Sequence, residues 1–124
     1  MGSDRRQQLG RVGERLAAEH LVRRGFRIVE RNYRTRFGEL DIVAFDGATL
    51  AFCEVKTRRG PANAYSPFDA IHPRKRAQVR RMALSWLAER SVDGFAPVLR
   101  FDAIGVVVGA AGELVSLEHL QDAF

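Results

Sequence analysis

One cysteine, one tryptophan, four prolines and only two lysines in 124 residues set the first limits on this chain. Cys53 alone can build neither an internal disulfide nor a thiolate zinc cage, so disulfide scaffolds and cysteine-rich metal folds are excluded. Long apolar runs are missing as well. The longest charge-free stretch near the C-terminus, Ala103 to Gly112, falls well short of the ~20 apolar residues that a membrane-spanning helix needs. The first residues, Met1-Gly2-Ser3-Asp4-Arg5-Arg6, are polar with no apolar stretch behind them, so no secretory signal and no membrane partner are expected and the cytoplasm is the expected compartment. Repeats and low-complexity tracts are absent too. What remains is 46% hydrophobic and 28% charged, the composition of a single domain over residues 1–124 with a real core and no room for two. Residues 1–8 are expected to be flexible.

The formal charge is +5, and its distribution says more than its total. Residues 1–36 hold ten Arg against four acids, and residues 72–81 hold five cations and no acid. The rest of the chain is net acidic. Two basic segments therefore bracket a carboxylate-rich region, a pattern that attracts polyanions such as nucleic acid. A solvated, Arg-rich surface is the bland alternative.

Leu9, Val12, Gly13, Leu16, Ala17 and Leu21 recur at three- and four-residue spacing, which predicts an amphipathic helix from about residue 7 to 24, terminated by Gly25. Glu14 lies at the border of its apolar face. Phe26 to Tyr33 reads as a strand with Phe26, Ile28 and Glu30 on one side. Gly38 to Phe45 and Ala48 to Lys56 both alternate by twos around Asp46-Gly47, a strong hairpin signal. A helix opened by Pro73 and a strand from Val98 to Val107 complete an α/β domain in the order α-β-β-β-α-β, with a mixed central sheet flanked by helices.

The hairpin carries the chemistry. Side chains alternate across a strand, so Glu39 and Asp41 share one face of the first strand, and Glu54 and Lys56 share one face of the second. A two-residue loop sets Glu39 against Glu54 with Asp41 diagonal to it, whereas a four-residue loop sets Asp41 against Glu54 and Glu39 against Lys56; both put all four groups in one patch. Like charges on adjacent strands repel, and partial burial magnifies the repulsion. A cation must sit among them. Lys56 supplies one, and a hard divalent ion with oxygen ligands is the natural complement, since Mg²⁺ takes one or two carboxylates, keeps several waters and accepts substrate phosphate. A fully solvated outer face is the competing reading, and Leu50 and Phe52 on the same face argue against it.

Of the 20 basic residues, 18 are Arg, and Lys occurs only at 56 and 75. A compact ammonium is not interchangeable with a guanidinium in a tight site, so both positions stand out. Lys75 falls on the helical face of Val79, Met82, Ala83 and Trp86, near the N-terminal end of that helix, from which it could reach the site or a substrate phosphate; a surface lysine lying along the apolar stripe is the alternative. His20, His72 and His119 have no metal-ligand spacing and read as surface or capping residues. Cys53 alternates away from Glu54 and reads as core, as does Trp86. Asp102 could pair with an Arg and is assigned no role.

The order Glu14 on a first helix, Gly38-Glu39-Leu40-Asp41 on one strand, Glu54-Val55-Lys56-Thr57-Arg58 on the next, and a basic helix after them resembles the PD-(D/E)XK nuclease superfamily with its restriction-endonuclease-like core. More closely, it resembles the YraN family (uncharacterised protein family 0102), small bacterial proteins related to archaeal Holliday-junction resolvases. The likeness runs from about Gly10 through Arg100-Phe101-Asp102. Leu40 stands where the superfamily has its eponymous proline, a position without a chemical role. The resemblance implies that Asp41 and Glu54 bind metal, with the Val55 carbonyl a further ligand, that Lys56 is the catalytic lysine, and that Glu14 and Glu39 are additional catalytic acids. It also implies Mg²⁺, with Mn²⁺ able to substitute, and a homodimer.

Residues 57–68 are expected to form a mobile loop that could fold over nucleic acid, with Arg58 and Arg59 on phosphates and Tyr65 stacked on a base. Arg34, Arg36, Arg74, Arg76, Arg80 and Arg81, with Lys75, extend the basic surface. Such contacts hold a backbone without reading bases, so binding should be structure-selective or nonspecific. The expected function is Mg²⁺-dependent hydrolysis of DNA, branched or single-stranded, with RNA as a less favoured substrate. The alternative is a nucleic-acid-binding accessory protein that has the fold without efficient cleavage.

Overall fold

The computed structural model describes residues 2–61, 73–90 and 98–124. Helix α1 spans Gly2–Arg23 and begins earlier than the apolar periodicity predicts, because the Arg and Gln residues before Leu9 are good helix formers that need no apolar face. It ends where expected. Gly25 takes a left-handed conformation (φ 94°), and the Phe26 amide bonds back to the Leu21 carbonyl at 3.0 Å, closing the last turn.

Strands β1 (Arg27–Thr35), β2 (Gly38–Phe45), β3 (Thr49–Arg59), β4 (Val98–Val108) and β5 (Leu114–Leu120) form one sheet in the order β1-β2-β3-β4-β5. The β3–β4 pair is parallel and the others are antiparallel. Helix α2 (Pro73–Glu89) opens at the expected proline and belongs to the crossover between the parallel strands. The mixed sheet and flanking helices match the sequence reading, and β5 adds a strand beyond the expected order α-β-β-β-α-β.

Each face of the sheet carries its own core. Ala17, Ala18 and Leu21 of α1 pack with Phe26, Ile42, Ala44, Ala51, Cys53 and Ile104, and Val79, Met82, Ala83 and Trp86 of α2 pack with Leu40, Val43, Leu50, Phe52 and Phe101 on the opposite face. Cys53 and Trp86 are thus core residues, as their spacing predicts. Gly13 lets α1 lie directly on β3: a Cβ there would collide with the Thr57 side chain.

The sequence reading needs several corrections. Strand β1 has a bulge between Ile28 and Glu30. Ile28 therefore stays with the α1-side core while Glu30 turns to the other face, where it accepts a hydrogen bond from Trp86 Nε1 (3.2 Å) and pairs with Arg90. Phe45 pairs with Leu50, which selects the four-residue loop over the two-residue one. Asp46 is the reason: its Oδ1 accepts from the Ala48 and Thr49 amides (2.9 and 2.7 Å), building the turn from its own side chain. Thr57, Arg58 and Arg59 are the end of β3, not the start of a loop, because they continue the parallel ladder against Val106, Val107 and Val108. Residues 62–68 of the expected mobile segment, Tyr65 among them, and His72 lie outside the described residues.

Candidate metal centre and nucleic-acid interface

The last β2–β3 pair is Ile42↔Cys53. Beyond it the two strands separate, and Asp41 stands at the parting. Its Oδ2 accepts a hydrogen bond from the Val55 amide at 2.7 Å, so a carboxylate fills the place of a ladder bond. Leu40 and Val43 both face the α2 core, so strict alternation fails between them, at Asp41. Across β1 from that break, Asn32 sits between the pairs Arg31↔Ile42 and Tyr33↔Leu40 with a left-handed backbone (φ 53°). Asn tolerates this conformation better than most residues.

Three acids converge here. Carboxylate oxygens of Glu14, Glu39 and Asp41 lie within 4.8 Å of one another, each on a partly buried residue. Oriented by its neighbours, the Asn32 amide nitrogen donates to Glu39 Oε1 (2.9 Å) and Glu14 Oε2 (3.0 Å), which ties the helix-borne acid to the strand-borne one. Sequence reasoning missed Asn32, and its only signal was an Asn among strand formers. Arg34 Nε approaches Glu39 Oε1 at 3.4 Å from an exposed position.

Glu54 takes a different partner. Its side chain points to the α2 face, 9% exposed, and Oε1 accepts a salt bridge from Lys75 Nζ at 2.8 Å. Lys75 thus reaches the acid centre from the first turn of α2, as its helical face allows. Glu54 is not one of the three clustered acids, and its charge acts on Asp41 from the neighbouring strand. Glu54 Oε2 is buried and, among the described residues, has no hydrogen-bond partner. Lys56 is exposed two residues further along β3. Val55 contributes its amide to Asp41, which is a different contact from the expected carbonyl ligand.

The electrostatics show what this arrangement lacks. Burial first, and then the Glu54 charge, push the Asp41 carboxyl up from its ordinary 3.8 to about 8, despite the Val55 hydrogen bond that favours ionisation. Burial and the Glu39 charge likewise raise Glu14. Three clustered acids, two of them (Glu14 and Asp41) at raised pKa, with an orphaned buried oxygen on Glu54, form a hard oxygen donor set short of positive charge. That set fits a divalent cation such as Mg²⁺ or Mn²⁺, and does not resemble the nitrogen and sulfur sites of zinc.

Basic side chains border the centre on both sides. A cavity of about 380 Å³ on the α1 side is lined by Gln7, Arg11, Glu14, Asn32, Arg34 and Glu39. On the α2 side a groove of about 500 Å³ is lined by Phe37, Arg74, Lys75, Gln78 and Arg81. The other expected contacts separate from these. Arg36 lies over the Phe37 ring at 4.9 Å, and Arg76 is exposed on α2. Arg58 is half-buried, while Arg59 spends its guanidinium on the Gly109 carbonyl at 3.1 Å. Arg80 donates to the Phe124 carbonyl (2.6 Å) and lies over Phe101.

Asp102 and two histidines form a network that their positions in sequence hide. Asp102 is fully buried and accepts from Arg100 (2.9 Å), His119 Nε2 (2.8 Å) and the Asp122 amide (3.0 Å), and His119 Nδ1 meets His20 Nε2 at 3.0 Å. His20 and His119 are therefore partners in a partly buried chain of hydrogen bonds and not surface residues. The network ties β5 and α1 to β4.

No helix of the described residues is long and apolar enough to cross a membrane. The model of uncharacterised protein family UPF0102 matches residues 13–106, a span that includes Glu14, the whole hairpin and α2. A UPF0102 protein of Parafrankia sp. is 48% identical over 95% of this chain and 97% of its own length. A UPF0102 protein of Acidothermus cellulolyticus is 48% identical over 82% and 83%, and one of Chlorobium limicola is 42% identical over 94% and 91%. The chain therefore belongs to the uncharacterised protein family UPF0102.

Proposed function

We propose that this protein is a metal-dependent nuclease of the PD-(D/E)XK type that hydrolyses phosphodiester bonds in DNA. The observation that carries the reading is the convergence of Glu14, Glu39 and Asp41 on one point, in a cavity that Glu14 and Glu39 line together with Arg11 and Arg34. Asp41, Glu14 and Glu39 would hold Mg²⁺ or Mn²⁺, with the orphaned Glu54 oxygen and the Val55 carbonyl as further donors. A metal there supplies Lewis acidity toward a phosphoryl oxygen and lowers the pKa of bound water. The chain's own groups do the rest. The Val55 amide fixes Asp41, Asn32 fixes Glu14 against Glu39, and Lys56 offsets charge that develops on the scissile phosphate. Arg11, Arg34, Arg74 and Arg81 attract the backbone on either side without reading bases.

One observation favours the accessory-protein reading. Lys75 already neutralises Glu54, as a charge-balanced centre without metal would require. A cleavage panel separates the two: duplex, single-stranded, forked and four-way DNA, plus RNA, incubated with Mn²⁺ and wild-type protein, Lys56→Ala or Asp41→Asn. The nuclease reading expects cutting by the wild type that both variants lose. Cutting that persists in both variants, or DNA binding with no cutting on any substrate, refutes it.

A further inference from the structure

We propose that the groove between the β1–β2 turn and α2 is a single-strand subsite, in which Phe37 stacks on an unpaired DNA base while Arg74 and Arg81 hold the adjoining phosphates. The inference rests on the nuclease reading for its purpose, though not for its test. Phe37 is 38% exposed at the tip of the turn. The turn that carries it is fastened: Gln78 Nε2 donates to the Phe37 carbonyl (2.8 Å), the Phe37 amide donates to Thr35 Oγ1 (3.0 Å), and Thr35 Oγ1 donates to Met82 Sδ (3.1 Å). Gly38, at φ 142°, leaves no room for a Cβ beside Gln78. The backbone that carries the ring is thus fixed, and the ring itself lies outside both core clusters.

The ring's neighbours are cations. Arg36 and Arg81 guanidiniums each lie 4.9 Å from the Phe37 centroid, and among the described residues no acid lines the groove. At about 500 Å³ it falls within the range of about 300–1,000 Å³ typical of sites for nucleotide-sized ligands. An exposed cation–π contact shifts an equilibrium by only ~2- to 5-fold, whereas stacking a base on an aromatic side chain is worth ~5- to 150-fold. An incoming strand therefore exchanges weak contacts for stronger ones: a base takes a face of the ring, and the displaced guanidinium takes a phosphate. Base pairs stacked inside a duplex offer no such face, so the groove discriminates between strands and duplexes. Lys75 lines this groove and also contacts Glu54, which sets a bound strand beside the acid centre.

The test is fluorescence anisotropy with the full chain in EDTA, using labelled oligothymidylate of about 12 nucleotides and a blunt duplex of equal length, for wild type, Phe37→Ala and Phe37→Trp. The wild type should prefer the single strand, Phe37→Ala should lose ~10-fold or more on the single strand with little change on the duplex, and Phe37→Trp should retain the preference. Equal affinity of wild type and Phe37→Ala for the single strand, or a wild-type preference for duplex, overturns the proposal. Because no metal is present and no cleavage is read, failure here leaves the nuclease reading standing, and failure of the cleavage panel leaves the subsite standing.

Discussion

Replacing Asp41 by Asn should stabilise the metal-free protein, although it removes the residue at the heart of the proposed site. The carboxyl is raised from 3.8 to about 8 by burial and by Glu54. A carboxyl that ionises more readily in the unfolded chain than in the fold withdraws stability as pH rises, beginning near the unfolded value and ending near the folded one. At pH 7 the gap covers about three pK units, or about 4 kcal/mol at ~1.36 kcal/mol per unit. An Asn oxygen still accepts from the Val55 amide, and exchanging a mostly protonated carboxyl for an amide alters that bond and its packing by about 1 kcal/mol at most. The net gain is about 3 kcal/mol, which for a chain of this size raises the melting temperature by roughly 10 °C. Circular-dichroism melts in EDTA, taken from about pH 4 to about pH 9, measure it: the gap between variant and wild type should open with rising pH and level off above about pH 8. An Asp41→Asn variant that melts below wild type at pH 8, or a gap that does not change with pH, refutes the electrostatic account of the centre.

Lys75→Met leaves the Glu54 carboxylate without its cation in a nearly buried position and should cost about 2–3 kcal/mol, read as a lower urea midpoint; an unchanged midpoint would show that the pair contributes nothing. Asp102 is pushed up by burial, but the bonds from His119, Arg100 and the Asp122 amide more than offset this and hold it below the ordinary carboxylate range. Its contribution is therefore present above about pH 4 and lost on acidification below that. His119→Ala should cost about 2 kcal/mol at neutral pH and move the acid-unfolding midpoint upward, and a midpoint that stays in place sinks the assignment. Gly13→Ala drives a methyl group into the Thr57 side chain and should lower stability by about 1–3 kcal/mol in the same urea assay; a neutral result would mean that α1 can lift off β3 freely.

Much of this was legible in the chain. The alternation of Gly38 to Phe45 and of Ala48 to Lys56 marked both strands, and the opposite facing of Phe52 and Cys53 marked both core faces, because a buried sheet leaves period-two patterns little freedom. Lys75 was legible as a residue on the inward stripe of α2. The hairpin loop was not, since Asp46-Gly47 suits a two-residue turn and only the capping bonds of the Asp46 side chain favour the longer one. The bulge at Val29 and the left-handed Asn32 leave no periodic trace, and they decide where Glu30 and Glu14 point. Glu54 was legible as buried and acidic, but its partner lies 21 residues away on another element, beyond any local pattern. The same holds for His119, whose bonds to Asp102 and His20 require three elements to be in place.

The central claim is that Glu14, Glu39 and Asp41 form one cation site, and isothermal calorimetry with Mn²⁺ tests it most directly. Wild-type protein should bind the ion with release of close to one proton per chain at neutral pH, because Asp41 must give up its proton, and both Asp41→Asn and Glu14→Gln should abolish the signal. Binding that survives unchanged in these variants, or no binding by the wild type, would contradict it.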